Sequence, residues 1–239
     1  MKSLKTGIAL CLVLFAGQRL SAQDDLLRRK TEHYATDYLD AVGHYAAIFS
    51  GNREQPLGFT TSNHQYFKES DFTIGRLSHR GIIYPEVLLR WDLYRDELIV
   101  LSPYNYTIVL NNENVDFFEI HGYHAFYLFP NDLAGCPPAG YYILLHSSDD
   151  YLLIEKITKY LQEENVKKYR YFFDQSSKFY LQKGNAYYKI QNKRSLLKSL
   201  ETHRKELKKF MRINQLQYKK DAEKTVLETI RKHENLSRQ

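Results

Sequence analysis

The residues equipped for chemistry are few. Cys136, in Gly135-Cys136-Pro137-Pro138, is the one cysteine beyond residue 23. A thiol beside any of the nine histidines would make a nucleophile pair. A lone cysteine in a proline-rich loop reads instead as incidental. His121-Gly122-Tyr123-His124 is the nearest approach to a metal motif. Two ligands three apart meet on one side of a helix, but Gly122 marks a hairpin turn, and in a strand positions i and i+3 face opposite ways. The pattern predicts a turn with exposed histidines, and no metal or cofactor. Glycoside hydrolysis requires two carboxyls about 5–10 Å apart in a cleft. Asp92 interrupts an apolar run, yet Arg90 lies two residues away on the same strand face, so a structural ion pair or an open sheet face is expected. Asp149-Asp150 and Glu163-Glu164 read as solvated turns. Zinc-peptidase, P-loop, EF-hand, nucleophile-elbow and dinucleotide signatures do not occur. Trp91, the single tryptophan, alternates with Val87, Leu89 and Leu93 and reads as core rather than as a carbohydrate platform. No catalytic residue is assigned.

Charge is the stronger signal. The net charge is +6, and it is unevenly spread. Residues 24–192 carry 17 basic and 22 acidic side chains, whereas residues 193–239 carry 14 and 6. Within residues 193–212 the balance is 8 basic to 2 acidic. Arg204, Lys205, Lys208, Lys209 and Arg212 are therefore the candidate partner-contact residues. An acidic protein or an anionic envelope surface suits them. The plainer alternative is a solvated helix whose apolar side packs on the rest of the protein. Nucleic acid is not an expected partner, because the chain begins like an exported one.

That beginning consists of Lys2 and Lys5, an apolar stretch over residues 7–17, and Ser21-Ala22-Gln23. It reads as a secretory signal over residues 1–23. The stretch is too short to span a bilayer, which takes about 20 apolar residues. Cys11 does not suit lipid attachment, since Leu10 before it is not small. With a single remaining thiol, no internal disulfide can form. The mature chain must be held by its core. A mean hydropathy of −0.53 excludes a helical membrane protein, and the 20 Tyr and 13 Phe exclude wholesale disorder.

The elements that must position these residues follow from periodicity. Leu27, Tyr34, Tyr38, Val42 and Tyr45 form one stripe of an N-terminal helix within residues 24–50. Residues 57–71 are irregular. Short alternating runs then recur every 8–12 residues between turn signals, over residues 72–191. They predict ten to twelve antiparallel strands, with Asp174-Gln175-Ser176-Ser177 as one of the turns. Residues 151–162 fit a strand or a helix equally. Leu196, Leu197, Leu200, Leu207, Phe210 and Met211 mark a basic amphipathic helix. A linker near residues 214–220 follows, and Asp221 caps a second helix bearing Ala222, Val226, Leu227 and Ile230.

The fold expected is mainly β (α+β). An antiparallel β meander forms a sandwich or small barrel, with an N-terminal helix and a C-terminal basic helical hairpin over residues 193–235. Residues 24–239 form one domain. The order of parts, from Ile48-Phe49-Ser50-Gly51 through Asn63-His64-Gln65-Tyr66-Phe67 and the run from Tyr84 to Leu98 to Lys205-Glu206-Leu207-Lys208-Lys209-Phe210 and Tyr218-Lys219-Lys220-Asp221, resembles an uncharacterised family of exported proteins from Bacteroidota. The resemblance implies export and this architecture, and it adds no catalytic residue. The expectation is an exported non-catalytic binding or accessory protein of the periplasm or cell envelope. The alternatives are a small-ligand carrier with an aromatic-lined barrel, and a hydrolase of envelope polysaccharide, which would require a cleft where carboxylates converge.

Overall fold

The computed structural model describes Lys30, His33, Tyr34, Asp37 and residues 47–163 and 171–238. The expected leader lies outside the described residues, as does most of the expected N-terminal helix. Its four described positions are helical and exposed.

Eleven strands form one sheet: β1 (Asn52–Arg53), β2 (Thr73–His79), β3 (Ile82–Asp92), β4 (Glu97–Leu101), β5 (Thr107–Val109), β6 (Val115–Ile120), β7 (Tyr123–Leu128), β8 (Gly140–Ser147), β9 (Tyr151–Glu163), β10 (Tyr171–Lys183) and β11 (Ala186–Ile190). Every ladder is antiparallel. The order is β1-β5-β4-β3-β2-β6-β7-β8-β9-β10-β11. From β2 the chain therefore meanders outward to β5. It then returns over Leu110–Asn114 to pair β6 on the free edge of β2, and meanders the other way to β11.

This sheet is neither a sandwich nor a closed barrel. Its outer strands, β1 and β11, do not pair with each other. Two features account for the open form. The free edge of β11 is taken by a loop: Ala134 bridges Ala186, and Tyr187 N donates to Ala134 O at 2.7 Å. A covered edge resists further strand pairing. Three helices, α1 (Lys193–Leu200), α2 (Arg204–Ile213) and α3 (Ala222–Ser237), occupy the face where a second sheet would pack. Leu196, Leu200, Leu207, Val226 and Ile230 are wholly buried there, against Leu153, Phe179, Leu181 and Ile190.

The other half of the sheet curls around an aromatic core. Trp91 meets Phe118 and Tyr141 edge-on, with ring centroids 5.4 and 6.1 Å away. The irregular residues 57–71 bridge the mouth of this curl. Phe67 N donates to Trp91 O and Leu93 N to Gln65 O. On the opposite side Asn63 pairs with Phe173 of β10 through both its amide oxygen and nitrogen. Lys159 N in β9 donates to Leu93 O at 3.1 Å, so the end of β3 touches β9 directly.

One open alternative is settled and two expectations change. Residues 151–162 are strand. Tyr151, Leu153, Glu155 and Ile157 are buried at every second position. Asp174-Gln175-Ser176-Ser177 is no turn but the middle of β10, paired with Tyr160, Lys159, Thr158 and Ile157. The basic helix is two helices. Glu201 and His203 adopt left-handed backbone at φ 60° and 52°, and Thr202 between them lies 2.8 Å from His233 Nε2. The break redirects the chain, so that α1 packs along β11 and α2 along α3, and three helices stand where a hairpin was expected. No helix among the described residues is long and apolar enough to cross a membrane.

Candidate functional site

Local sequence fixes the basic helices firmly. Asn192 caps α1, its side chain accepting from Ser195 N at 2.9 Å while Ser195 Oγ accepts from Asn192 N, a reciprocal capping box. In α2 only Leu207 and Met211 are buried. Leu216 N donates back to Met211 O at 2.8 Å, and Tyr218 Oη donates to Ile190 O, which folds the following turn onto the sheet. Burying each such leucine contributes roughly 1.5–3 kcal/mol, enough to set the orientation of α2 without help from its charges.

All five predicted contact residues, Arg204, Lys205, Lys208, Lys209 and Arg212, are exposed. Four of them, Lys205, Lys208, Lys209 and Arg212, line one open groove of about 710 Å³. Arg204 does not line it. Lys193 from α1 joins them, and Met211 and Leu216 supply apolar floor. Among the described residues, no carboxylate lines the groove. Among the described residues, none of its five cations has a salt-bridge partner. Arg204–Lys208, Lys205–Lys209 and Lys208–Arg212 are like-charge pairs at i,i+4, each destabilising by roughly 0.2–0.5 kcal/mol. The charge therefore works slightly against the fold, and an anion in the groove would relieve it.

The other candidates disperse. His121 Nε2 lies 3.4 Å from Thr73 Oγ1, while His124 Nδ1 lies 3.3 Å from Glu119 Oε1 and its ring stacks on Phe117. No group of three or more His, Cys, Asp or Glu among the described residues could hold a metal ion. Cys136 is half-buried, its Sγ against Pro137 O. Arg90 pairs with Glu54 rather than with Asp92. Asp92 Oδ1 instead accepts from the backbone of Tyr94 and Arg95, and burial raises its pKa. Asp149 and Asp150 are exposed, as is Glu163.

No family model, no curated protein and no solved structure matches this chain.

A second concavity, of about 390 Å³, lies between β9, β10 and the start of α3. It gathers Glu155, Lys159, Gln175, Ser177, Asp221 and Glu223. Glu155 is 3% exposed and its Oε2 has no hydrogen-bond partner. Burial pushes this carboxyl up to about 7, with a hydrogen bond from Ser177 opposing it and Glu223 adding to it. Burial likewise raises Glu223, and Asp221 reinforces the effect. Sequence reading missed Glu155. Its one signal is position, a carboxylate inside the apolar alternation Tyr151-Leu153-Glu155-Ile157, legible only once these residues are known to form a strand. The polar run at residues 174–177 was the complementary signal, because Gln175 and Ser177 share the cleft face of β10.

Proposed function

We propose that this is an exported, non-catalytic binding or accessory protein of the periplasm or cell envelope, which docks an anionic partner in the groove of α1 and α2. The observation that carries the reading is five cations around one open groove with no carboxylate in its lining. A surface of one sign steers and holds a partner of the other. Export rests on residues 1–23 alone. The test is charge reversal at Lys205, Lys208, Lys209 and Arg212, read by envelope fractionation and cross-linked pull-down from intact cells. The quadruple variant is expected to lose both envelope association and its cross-linked partner. Unchanged association would sink the proposal.

Both alternatives meet physical objections. A carrier needs room inside the curl, but Trp91, Phe118 and Tyr141 fill it with their own rings. A polysaccharide hydrolase needs one protonated and one ionised carboxyl. The second cleft does gather carboxylates. However, Glu155 and Glu223 are both pushed toward the protonated form, and Asp221 Oδ1 is engaged by Lys224 N in the helix cap.

A further inference from the structure

We propose that the cleft between β9, β10 and α3 is a binding site for an organic cation, a primary ammonium on a short apolar body, paired with Glu155 and seated against Phe67, Tyr123 and Phe179. It shares no lining residue with the basic groove, so either can fail without the other.

Among the described residues, Glu155 has no counter-charge. Glu155 stands directly across the ladder from Phe179, on the face of β9 that also carries Ile157 and Lys159. It is almost wholly buried; Ser177 hydrogen-bonds its side chain, but Oε2 is unpartnered among the described residues. A buried carboxylate without a counter-charge is unfavourable. Neither neighbouring lysine supplies one. Lys159 Nζ is committed to His64 O and Tyr66 O, both at 2.8 Å. Lys68 Nζ sits over the Tyr123 ring at 4.3 Å and acts on Glu223. The charge that acts on Glu155 is Glu223, another acid. Burial is the larger cause that raises both acids, and each has another acid beside it as well. The positive end of α3 faces the cleft, but Asp221 at its cap and Glu223 in its first turn offset it.

The rest of the lining says what kind of cation. Metal-ligand groups are not found among the described residues, and Phe67, Tyr123 and Phe179 form an apolar aromatic wall. That wall already carries one ammonium, the protein's own. Lys68 is held at φ 56° by a turn in which Glu69 N donates to Phe67 O at 2.6 Å, a three-residue turn of a strained type for any residue but glycine. An anion would meet Glu155, Asp221 and Glu223.

The experiment titrates the full chain, carrying ¹³C-labelled glutamate, with n-butylammonium and with n-butanol of the same shape. Butylammonium is expected to bind, and to lower the Glu155 titration midpoint from about 7. Binding should be tighter at pH 8 than at pH 5, because a protonated Glu155 offers no counter-charge. Lys68, Lys159, Tyr123, Asp221 and Glu223 also face the cleft; burial raises Glu223 as it raises Glu155, so the Glu155→Gln variant separates the contribution of Glu155 to the pH dependence from that of Glu223. Butanol should bind about tenfold more weakly, and Glu155→Gln should cost butylammonium a similar factor. Lys68→Gly, which suits the positive φ and removes a like charge, should bind the amine as well or better. Equal affinity for amine and alcohol, unchanged affinity in Glu155→Gln, or no shift at millimolar amine would each overturn the proposal. Should the Gln variant not fold, the midpoint shift in the unaltered chain decides alone. A Gly-Lys-Gly peptide against butylammonium distinguishes the two sources. Tighter peptide binding assigns the cation to a protein lysine, and weaker binding assigns it to a free amine.

Discussion

Lys156 Nζ donates to Asp96 Oδ2 at 2.5 Å, joining two residues sixty positions apart. Asp96 occupies the turn between β3 and β4, and Lys156 lies in β9. The same carboxylate accepts Tyr141 N at 3.1 Å, and the same ammonium donates to Tyr141 O. With the backbone bond from Lys159 to Leu93, this clasp holds the curl of the sheet. Burial lowers the Lys156 pKa, with Asp96 opposing it, so the lysine depends on its partner. Asp96→Ala should cost about 3 kcal/mol in urea denaturation, and Asp96→Ala with Lys156→Met clearly less than the sum of the single changes. Additive losses would mean the clasp is not a unit.

Gly140 belongs to the same clasp. Its φ is +147°, and a Cβ there would overlap Lys156 Nζ and Asp96 Oδ2. Gly140→Ala should therefore destabilise by about 2 kcal/mol or more, and Gly81→Ala, which meets open space, by less. Equal midpoints for the two variants would contradict this account.

Arg90 forms a second half-buried ion pair. It donates to Glu54 Oε2 at 2.6 Å, between the rings of Tyr66 at 4.0 Å and Phe72 at 4.2 Å. Tyr66 Oη donates to the other Glu54 oxygen. Glu54→Ala strands both donors and should cost about 2–3 kcal/mol. Arg90→Lys keeps the charge but loses the planar stacking, so it should also destabilise measurably. A thermal midpoint unchanged in Arg90→Lys would show that the rings contribute nothing.

Glu155 makes stability depend on pH in a defined direction. Unfolded, its pKa is near 4.5; folded, it is about 7. Below pH 4.5 the carboxyl is protonated in both states and contributes no difference. Between pH 4.5 and 7 the unfolded chain ionises and the folded one does not, so the fold loses stability as pH rises, levelling off above 7. The total is roughly 3 kcal/mol, at about 1.4 kcal/mol per unit. Glu155→Gln should match the parent near pH 4 and exceed it at pH 8. Parallel stability curves for parent and variant would contradict this. His64, His79 and His233, all lowered by burial, act in the opposite direction. They withdraw stability as pH falls below 6.5, in parent and variant alike.

The docking of α3 has polar anchors as well as an apolar face. Glu234 Oε2 lies 2.8 Å from His146 Nε2, and Ser148 Oγ donates to Oε1. His233 stands between Tyr151 Oη at 3.2 Å and Thr202 Oγ1 at 2.8 Å. Glu234→Ala should cost about 2 kcal/mol and expose the α3 amides to faster hydrogen exchange. Protection unchanged in α3 would mean its apolar face alone suffices.

The antiparallel strands expected over residues 72–191 are present, and they form one sheet. Asp221 caps its helix as predicted, accepting from Lys224 N, because a cap depends on residues three apart. Misreadings fell where polarity had a remote cause. Ser176 and Ser177 looked like a turn, but Ser177 is polar because it lines a cleft completed by α3. Arg90 looked like a partner for Asp92, but the pair is made with Glu54, 36 residues earlier.

By itself, then, the chain's order of residues determined most of the elements, the antiparallel habit and the basic face of α2, since each follows from periods of two or 3.6 and from neighbours in sequence. Only the tertiary structure decided that the sheet stays open, that Lys193 joins the cations of α2 around one groove, and that Glu155 faces a cleft whose two lysines, among the described residues, are engaged elsewhere. Those outcomes rest on contacts between distant segments, and neither period carries information about which distant segment will arrive.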